Sequence, residues 1–136
     1  MKHSHDIAGL TRNQALVLKA LEKSHLPLTA YVILDGLRAH GIKAPLQVYR
    51  ALDKLVELGL VHRVESMNAF MACSHHGHGH DSDAHQDAVF MICDSCGTVR
   101  ECSDDKTAAV LRKLARMEHF VLARASIEIR GKCGKC

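Results

Sequence analysis

The chain has 136 residues, a formal net charge of +3, 47% hydrophobic and 24% charged residues, and no tryptophan. That length holds one ordinary domain or two small ones, with cores built from aliphatic side chains. No apolar run approaches a membrane span, and the polar opening Met1–Gly9 is unlike a signal peptide, so the expected setting is the cytoplasm, with no membrane partner.

Thr11-Arg12-Asn13-Gln14 reads as a capping box that opens a first helix running to about Lys23, with Val17, Leu18 and Leu21 on one face. Pro27 follows its end. Thr29 caps a second helix with Ala30, Ile33, Leu34 and Leu37 turned inward, and Gly41 closes it. Pro45 suits the first position of a third helix, which Gly59 terminates. Val48, Leu52, Leu55 and Val56 share one side of this helix, while Gln47, Arg50, Lys54 and Glu57 line the other. A hairpin follows: Leu60–Glu65 alternates, Ser66-Met67-Asn68 turns, and Ala69–Cys73 returns.

Three short helices and a hairpin are the order of a winged helix-turn-helix. Its third helix would read the major groove through N-terminal residues, here Gln47 and Arg50. A compact three-helix bundle with no nucleic-acid role has the same element order. The charge distribution is compatible with phosphate contacts: residues 1–74 carry nine Lys/Arg against six Asp/Glu, whereas residues 75–136 carry nine of each.

Residues 74–87, SHHGHGHDSDAHQD, can bury no core and read as a His-rich hinge between a domain at 1–73 and another at 88–136. His75, His76, His78 and His80 suit either a weak metal tract or plain solvated linker. The second part begins with a strand at Ala88–Ile92 and a short strand at Thr98–Glu101. Ser103 is the expected cap of a helix with Asp104 and Asp105 in its first turn, where negative charge suits the dipole. Its expected core face is Val110, Leu111, Leu114 and Met117, and a strand over Phe120–Arg130 alternates at Ala125, Ile127 and Ile129.

Two Cys-x-x-Cys pairs, Cys93/Cys96 and Cys133/Cys136, bracket that second part with 36 residues between them. Each pair sits in a tight knuckle that aims two sulfurs at one point, and two knuckles complete a tetrahedral four-thiolate zinc site. Where thiols stay reduced, such pairs bind metal more often than each other. A domain of about 45 residues cannot bury much surface, which explains a metal staple. The expected class is therefore α+β: an N-terminal winged helix-turn-helix plus a small zinc-stapled β-β-α-β domain. One helix covers one face of a three-stranded sheet, so a long apolar strand is expected to pair with a second copy in a symmetric homodimer. Cys102 has no partner by motif and reads as a small hydrophobe.

A zinc hydrolase or deaminase would need an open coordination position with a general base beside it, and neither His-Glu-x-x-His nor the deaminase signature occurs. The expectation is a protein that is not an enzyme and takes no small-molecule substrate. A zinc storage or delivery protein built around the His-rich segment is a competing reading.

The stretches AYVILDGLR (30–38), VYRALDKLVELGLVHRVES (48–66) and CDSCGTVRE (93–101), with CGKC at 133–136, resemble the ferric uptake regulator family, and within it the zinc uptake regulators. The resemblance runs from about Leu10 to Cys136. It implies a dimeric, zinc-responsive repressor of zinc uptake genes, with double-stranded operator DNA as partner and one structural and one regulatory zinc per chain. It puts the regulatory metal on His62, Cys73, His85 and Glu101, drawn from wing, linker and second domain, so that binding fixes domain orientation. It puts DNA contacts at Tyr49 and Arg50, and Tyr31, off the apolar face of the second helix, is a further phosphate candidate. The family commonly has Leu-Thr-Pro-Gln-Arg where this chain has Leu10-Thr11-Arg12-Asn13-Gln14, which makes Arg12 the candidate replacement for the family's arginine. One thiolate with two imidazoles and a carboxylate suits tetrahedral zinc better than the all-N/O sets expected for iron or manganese. Cys73 thus separates a zinc sensor from an iron, manganese or peroxide sensor of the same family.

Overall fold

The computed structural model describes residues 9–73, 87–102 and 104–136. The chain divides into two compact units, Met1–His76 and Gly77–Cys136. Most of the expected hinge, including His75, His76, His78, His80 and His85, lies outside the described residues.

In the first unit, α1 (Arg12–Lys23) opens with the expected capping box: the Gln14 N–H donates to the Thr11 hydroxyl, and the Thr11 N–H to the Gln14 side chain. Helix α2 (Ala30–Leu37) is capped by Thr29, whose hydroxyl accepts the Val32 N–H. It tightens into a 3₁₀ turn, Arg38–His40, and stops at Gly41, whose φ of +94° is open to glycine and strained for most other residues. Helix α3 (Pro45–Glu57) has proline in its first turn and no side-chain oxygen at its N-cap, Ala44. Gln47 supplies what alanine lacks, because its Oε1 accepts the N–H groups of Lys43 and Ala44 at 2.9 and 3.1 Å.

The apolar spacing of the three helices converges on one core. Val17, Leu18, Leu21, Ile33, Leu34, Val48, Leu52 and Leu55 are buried there, with Ile42 of the α2–α3 connection plugged among them. Each such side chain contributes roughly 1.5–3 kcal/mol of transfer free energy. Strands β1 (Val61–Val64) and β2 (Ala69–Ala72) pair antiparallel with Val61 opposite Ala72, turning through Glu65–Met67 and a left-handed Asn68. A bridge between Leu28 and Phe70 joins this wing to the segment between α1 and α2. The alternation expected over 60–65 is incomplete: Leu60, Val61, His62 and Val64 are buried and only Arg63 within β1 is exposed.

In the second unit, β3 (Ala88–Cys93) lies at the centre of a three-stranded sheet of order β4-β3-β5. Strand β4 (Val99–Cys102) is antiparallel to it and β5 (Ser126–Gly131) parallel, the crossover being made through α4 (Asp105–Met117). Asp87 pins the return: its carboxylate accepts the Ala125 N–H at 3.0 Å and meets Arg112 of α4 at 3.4 Å.

Three expectations need correction here. The N-cap of α4 is Asp104, whose carboxylate accepts the N–H groups of Lys106 and Thr107 and the Thr107 hydroxyl, and it shifts the helix start one residue past the expected Ser103. Strand β5 has six residues rather than the eleven of Phe120–Arg130, because His119 adopts a left-handed φ of +54° and the segment after it is irregular. The expected core face of α4 is open in the single chain, with Val110 64%, Leu114 54% and Met117 65% exposed.

Candidate metal centre and nucleic-acid face

The parallel pairing of β3 with β5 does what no local sequence signal could. It sets Cys93 opposite Gly131, so the knuckle that leaves β3 and the knuckle that follows β5 emerge side by side. The first knuckle closes on Gly97, at φ +77°, whose N–H donates to the Cys93 carbonyl at 2.9 Å. The Asp94 N–H reaches the Gly131 carbonyl at 2.8 Å, and the Arg130 guanidinium meets the Asp94 carboxylate at 2.7 Å, so the first knuckle is tied to β5.

The four sulfurs of Cys93, Cys96, Cys133 and Cys136 form one cluster, with Sγ···Sγ distances of 3.8 Å (Cys93–Cys136), 3.7 Å (Cys96–Cys133) and 3.5 Å (Cys133–Cys136). A tetrahedral zinc with bonds of ~2.3 Å requires edges of about 3.8 Å, whereas a disulfide would bring sulfurs to about 2.05 Å. No disulfide joins any of the six cysteines. The donor set and its spacing fit zinc.

The surrounding groups favour thiolate on one side of the cluster and oppose a second charge on the other. Backbone N–H groups of Cys133 and Cys96 point at Cys93 Sγ, at 3.3 and 3.5 Å, and draw its thiol down to about 6. Thr98, whose hydroxyl lies 3.1 Å from Cys96 Sγ, lowers that thiol as well. Cys136, crowded first by Cys133 and then by Cys96 and Cys93, is pushed up to about 12. Four thiolates in this space repel one another unless a dication replaces the shared protons.

The first unit holds a smaller donor pair. His62 lies on β1, 9% exposed, and Cys73 just beyond β2, its N–H donating to the Leu60 carbonyl at 2.9 Å. Antiparallel register across the wing brings an imidazole nitrogen of His62 and the Cys73 sulfur within 4.8 Å of each other. A lone strand histidine normally faces water, so this burial beside a thiol is the informative departure. Glu101 of the second unit is half-buried on β4, opposite Phe90. His85 lies outside the described residues.

On α3 the polar side is presented as expected at Arg50, which is exposed, with Tyr49 half-buried against the core. Tyr31, at the start of α2, is 62% exposed. Gln47 is occupied at the N-terminus of α3, and Arg12 donates through Nη2 to the His40 carbonyl at 2.7 Å. Leu46 was not singled out in the sequence. It is an exposed apolar side chain in the first turn of α3, and its position off the buried stripe of Val48, Ala51, Leu52 and Leu55 was the signal that could have found it.

Comparison with known proteins places these features in a family. The pattern of the Ferric uptake regulator family matches residues 9–130. The chain is 38% identical over 128 residues to the zinc uptake regulation protein of Escherichia coli (strain K12), spanning 93% of this chain and 72% of that protein. Against the zinc uptake regulation protein of Mycobacterium tuberculosis (strain ATCC 25618 / H37Rv) it is 30% identical over 130 residues, 93% of this chain and 92% of the other. Among solved structures it is similar to a zinc uptake regulator complexed with zinc and DNA, with a TM-score of 0.82 and 34% identity over 98% of this chain and 89% of that one.

Proposed function

The chain belongs to the ferric uptake regulator family, and from that premise we propose that it is a zinc-responsive, dimeric transcriptional repressor of zinc uptake genes. It is a regulator and not an enzyme. The observation that carries the reading is α3: a helix that buries Val48, Ala51, Leu52 and Leu55 while Arg50 stands exposed beside its N-terminal turns, in a chain 34% identical to a zinc uptake regulator complexed with zinc and DNA. In this reading α3 enters the major groove, Arg50 donates to a guanine edge, Tyr49 and Tyr31 meet backbone or a thymine methyl, and half-site spacing follows the dimer.

Two metal roles are assigned per chain. Cys93, Cys96, Cys133 and Cys136 hold a structural zinc, which in small peptides contributes folding free energy on the order of 10 kcal/mol. His62, Cys73, His85 and Glu101 form the regulatory set, supported by the buried His62–Cys73 pair and by the thiolate, which favours zinc over iron or manganese. A bound ion there restricts conformational freedom and shifts the population towards the DNA-competent form. The working division is a DNA-binding domain at 1–73, a hinge at 74–87 and a dimerisation domain at 88–136. None of the helices among the described residues is long and apolar enough to cross a membrane, in keeping with a cytoplasmic repressor.

The test is selection from a random duplex pool at high and at very low buffered zinc, with Cys73→Ser in parallel. Enrichment of an inverted repeat at high zinc, lost in Cys73→Ser while the dimer persists, is the expected result. Enrichment with iron or manganese but not zinc would move the protein to a sister sensor. No enrichment under any metal would leave storage or delivery as the better account.

A further inference from the structure

We propose that Arg12 is a positioning residue. It locks the connection between α2 and α3, and so sets the pose of the reading helix, without itself contacting nucleic acid. The proposal rests on the DNA-binding reading above and assigns to Arg12 a role that its place at a helix N-terminus does not suggest.

The first observation is the bond itself. Arg12 Nη2 donates to the His40 carbonyl at 2.7 Å, across 28 positions of sequence. His40 ends the 3₁₀ turn, where carbonyls lack intrahelical partners and a cation is favoured, and a bond this short is typical of a charge-assisted donor. The second is what the same guanidinium covers. A Cβ placed on Gly41 would lie 3.7 Å from Arg12 Nη1, so the second guanidinium nitrogen stands beside the left-handed residue at which the chain changes direction. The third is that the rest of the connection is already fixed from the other side. The Gly41 N–H reaches Arg38 O at 3.2 Å and the Ile42 N–H reaches Leu37 O at 3.3 Å. Ile42 is fully buried, and Gln47 Oε1 holds the N–H groups of Lys43 and Ala44.

Residues 40–44 are therefore tied one after another, with Gln47 as the anchor on α3 and Arg12 as the anchor reaching over from α1. Pro45 follows at once, so a displacement of this connection is passed directly to the first turns of α3, which carry Tyr49 and Arg50. A guanidinium suits the task because its fork bonds the His40 carbonyl through one nitrogen while a second nitrogen reaches the side of Gly41, which the single nitrogen of an ammonium cannot do.

The full-length protein carrying Arg12→Met separates the alternatives. Amide exchange is read first, without DNA: exchange at Gly41 and Ile42 should quicken about tenfold while Leu52 stays protected. Unchanged protection at Gly41 and Ile42 would overturn the tie. Binding is read next at fixed zinc, on the duplex enriched from the random pool, well below the melting temperature. Kd should rise about tenfold, with the slope of log Kd against log salt unchanged. A slope smaller by about 0.9 would make Arg12 a phosphate contact and overturn the proposal. A lower Tm with faster exchange but unchanged Kd would reduce Arg12 to stability alone and overturn it equally. Wild-type protein that binds no duplex would instead refute the regulator reading, and the exchange result would still report whether Arg12 holds the turn.

Discussion

The two units solve the problem of stability in different ways. The first assembles its core from its own helices: Val17, Ile33, Leu34, Ile42, Val48, Leu52 and Leu55 are all essentially inaccessible, and the wing adds Val61 and Val64. Among its described residues the second buries only Ala88, Phe90, Ile92, Cys93 and Val99, and α4 has no buried residue. Its apolar groups are instead turned outwards, from Val110, Leu114 and Met117 on α4 to Phe120, Val121 and Ile129 around β5. One unit is closed by hydrophobic burial, whereas the other gathers four cysteine sulfurs at its knuckles and leaves the apolar face of its helix open.

The most damaging change should be Cys96→Ser. It removes one of the four proposed zinc ligands, and the cooperative unfolding of residues 87–136 should vanish together with bound zinc, seen in metal content and in calorimetry of the intact chain. A full complement of zinc and an unaltered melt would show that the four sulfurs are not the staple. Leu52→Ala should cost about 2–5 kcal/mol through a cavity in the first unit. That loss should be the same with zinc or with chelator present. A cost that depends on zinc would mean the two units do not differ as described.

Leu114→Glu is expected to leave each chain folded and to convert the proposed dimer to monomers in sedimentation or light scattering, because a charge would then lie on the exposed apolar face of α4 that a second copy is expected to cover. Unchanged mass would send the search for the partner surface elsewhere. The smallest effect belongs to Asp104→Ala, which removes the cap of α4 and should lower Tm by on the order of a few degrees. The Asp104 carboxyl is held below its ordinary value of 3.8, first by the Thr107 hydroxyl and then by the Lys106 and Thr107 N–H groups. Its contribution is therefore present above pH 3.8 and disappears as pH falls through the depressed value, so wild type and variant should converge in acid.

What the sequence disclosed, and what it hid, follows the same division. Thr11, Thr29 and Pro45 announced their helices because caps and proline act within four residues, and the stripes of α1, α2 and α3 met as read. In the second unit the local signals misled. Phe120 and Val121 look like the start of a strand, yet Val121 is 92% exposed. Their apolar character is not satisfied within the single chain, so periodicity could not tell a strand from an uncovered surface. Ser103 and Asp104 are both good caps by residue type, and it is Asp104 whose carboxylate takes the Lys106 and Thr107 N–H groups and the Thr107 hydroxyl. The cysteine knuckles were legible from spacing, but the parallel register that unites them is non-local. The burial of His62 beside Cys73 likewise came from strand pairing across the wing, which alternation alone does not specify.

That parallel register has a consequence for synthesis. Cys133 is made 37 residues after Cys96, so while the first knuckle is emerging from the ribosome it holds only half of the proposed zinc ligands. The winged-helix unit, whose contacts lie within its own stretch, is free to fold during translation. The second unit must wait until β5 has returned alongside β3, which closes a long loop with its entropic cost. Nascent chains will thus carry a finished winged-helix unit before the four cysteines of the second unit are together, and on the proposed zinc reading the second unit closes last.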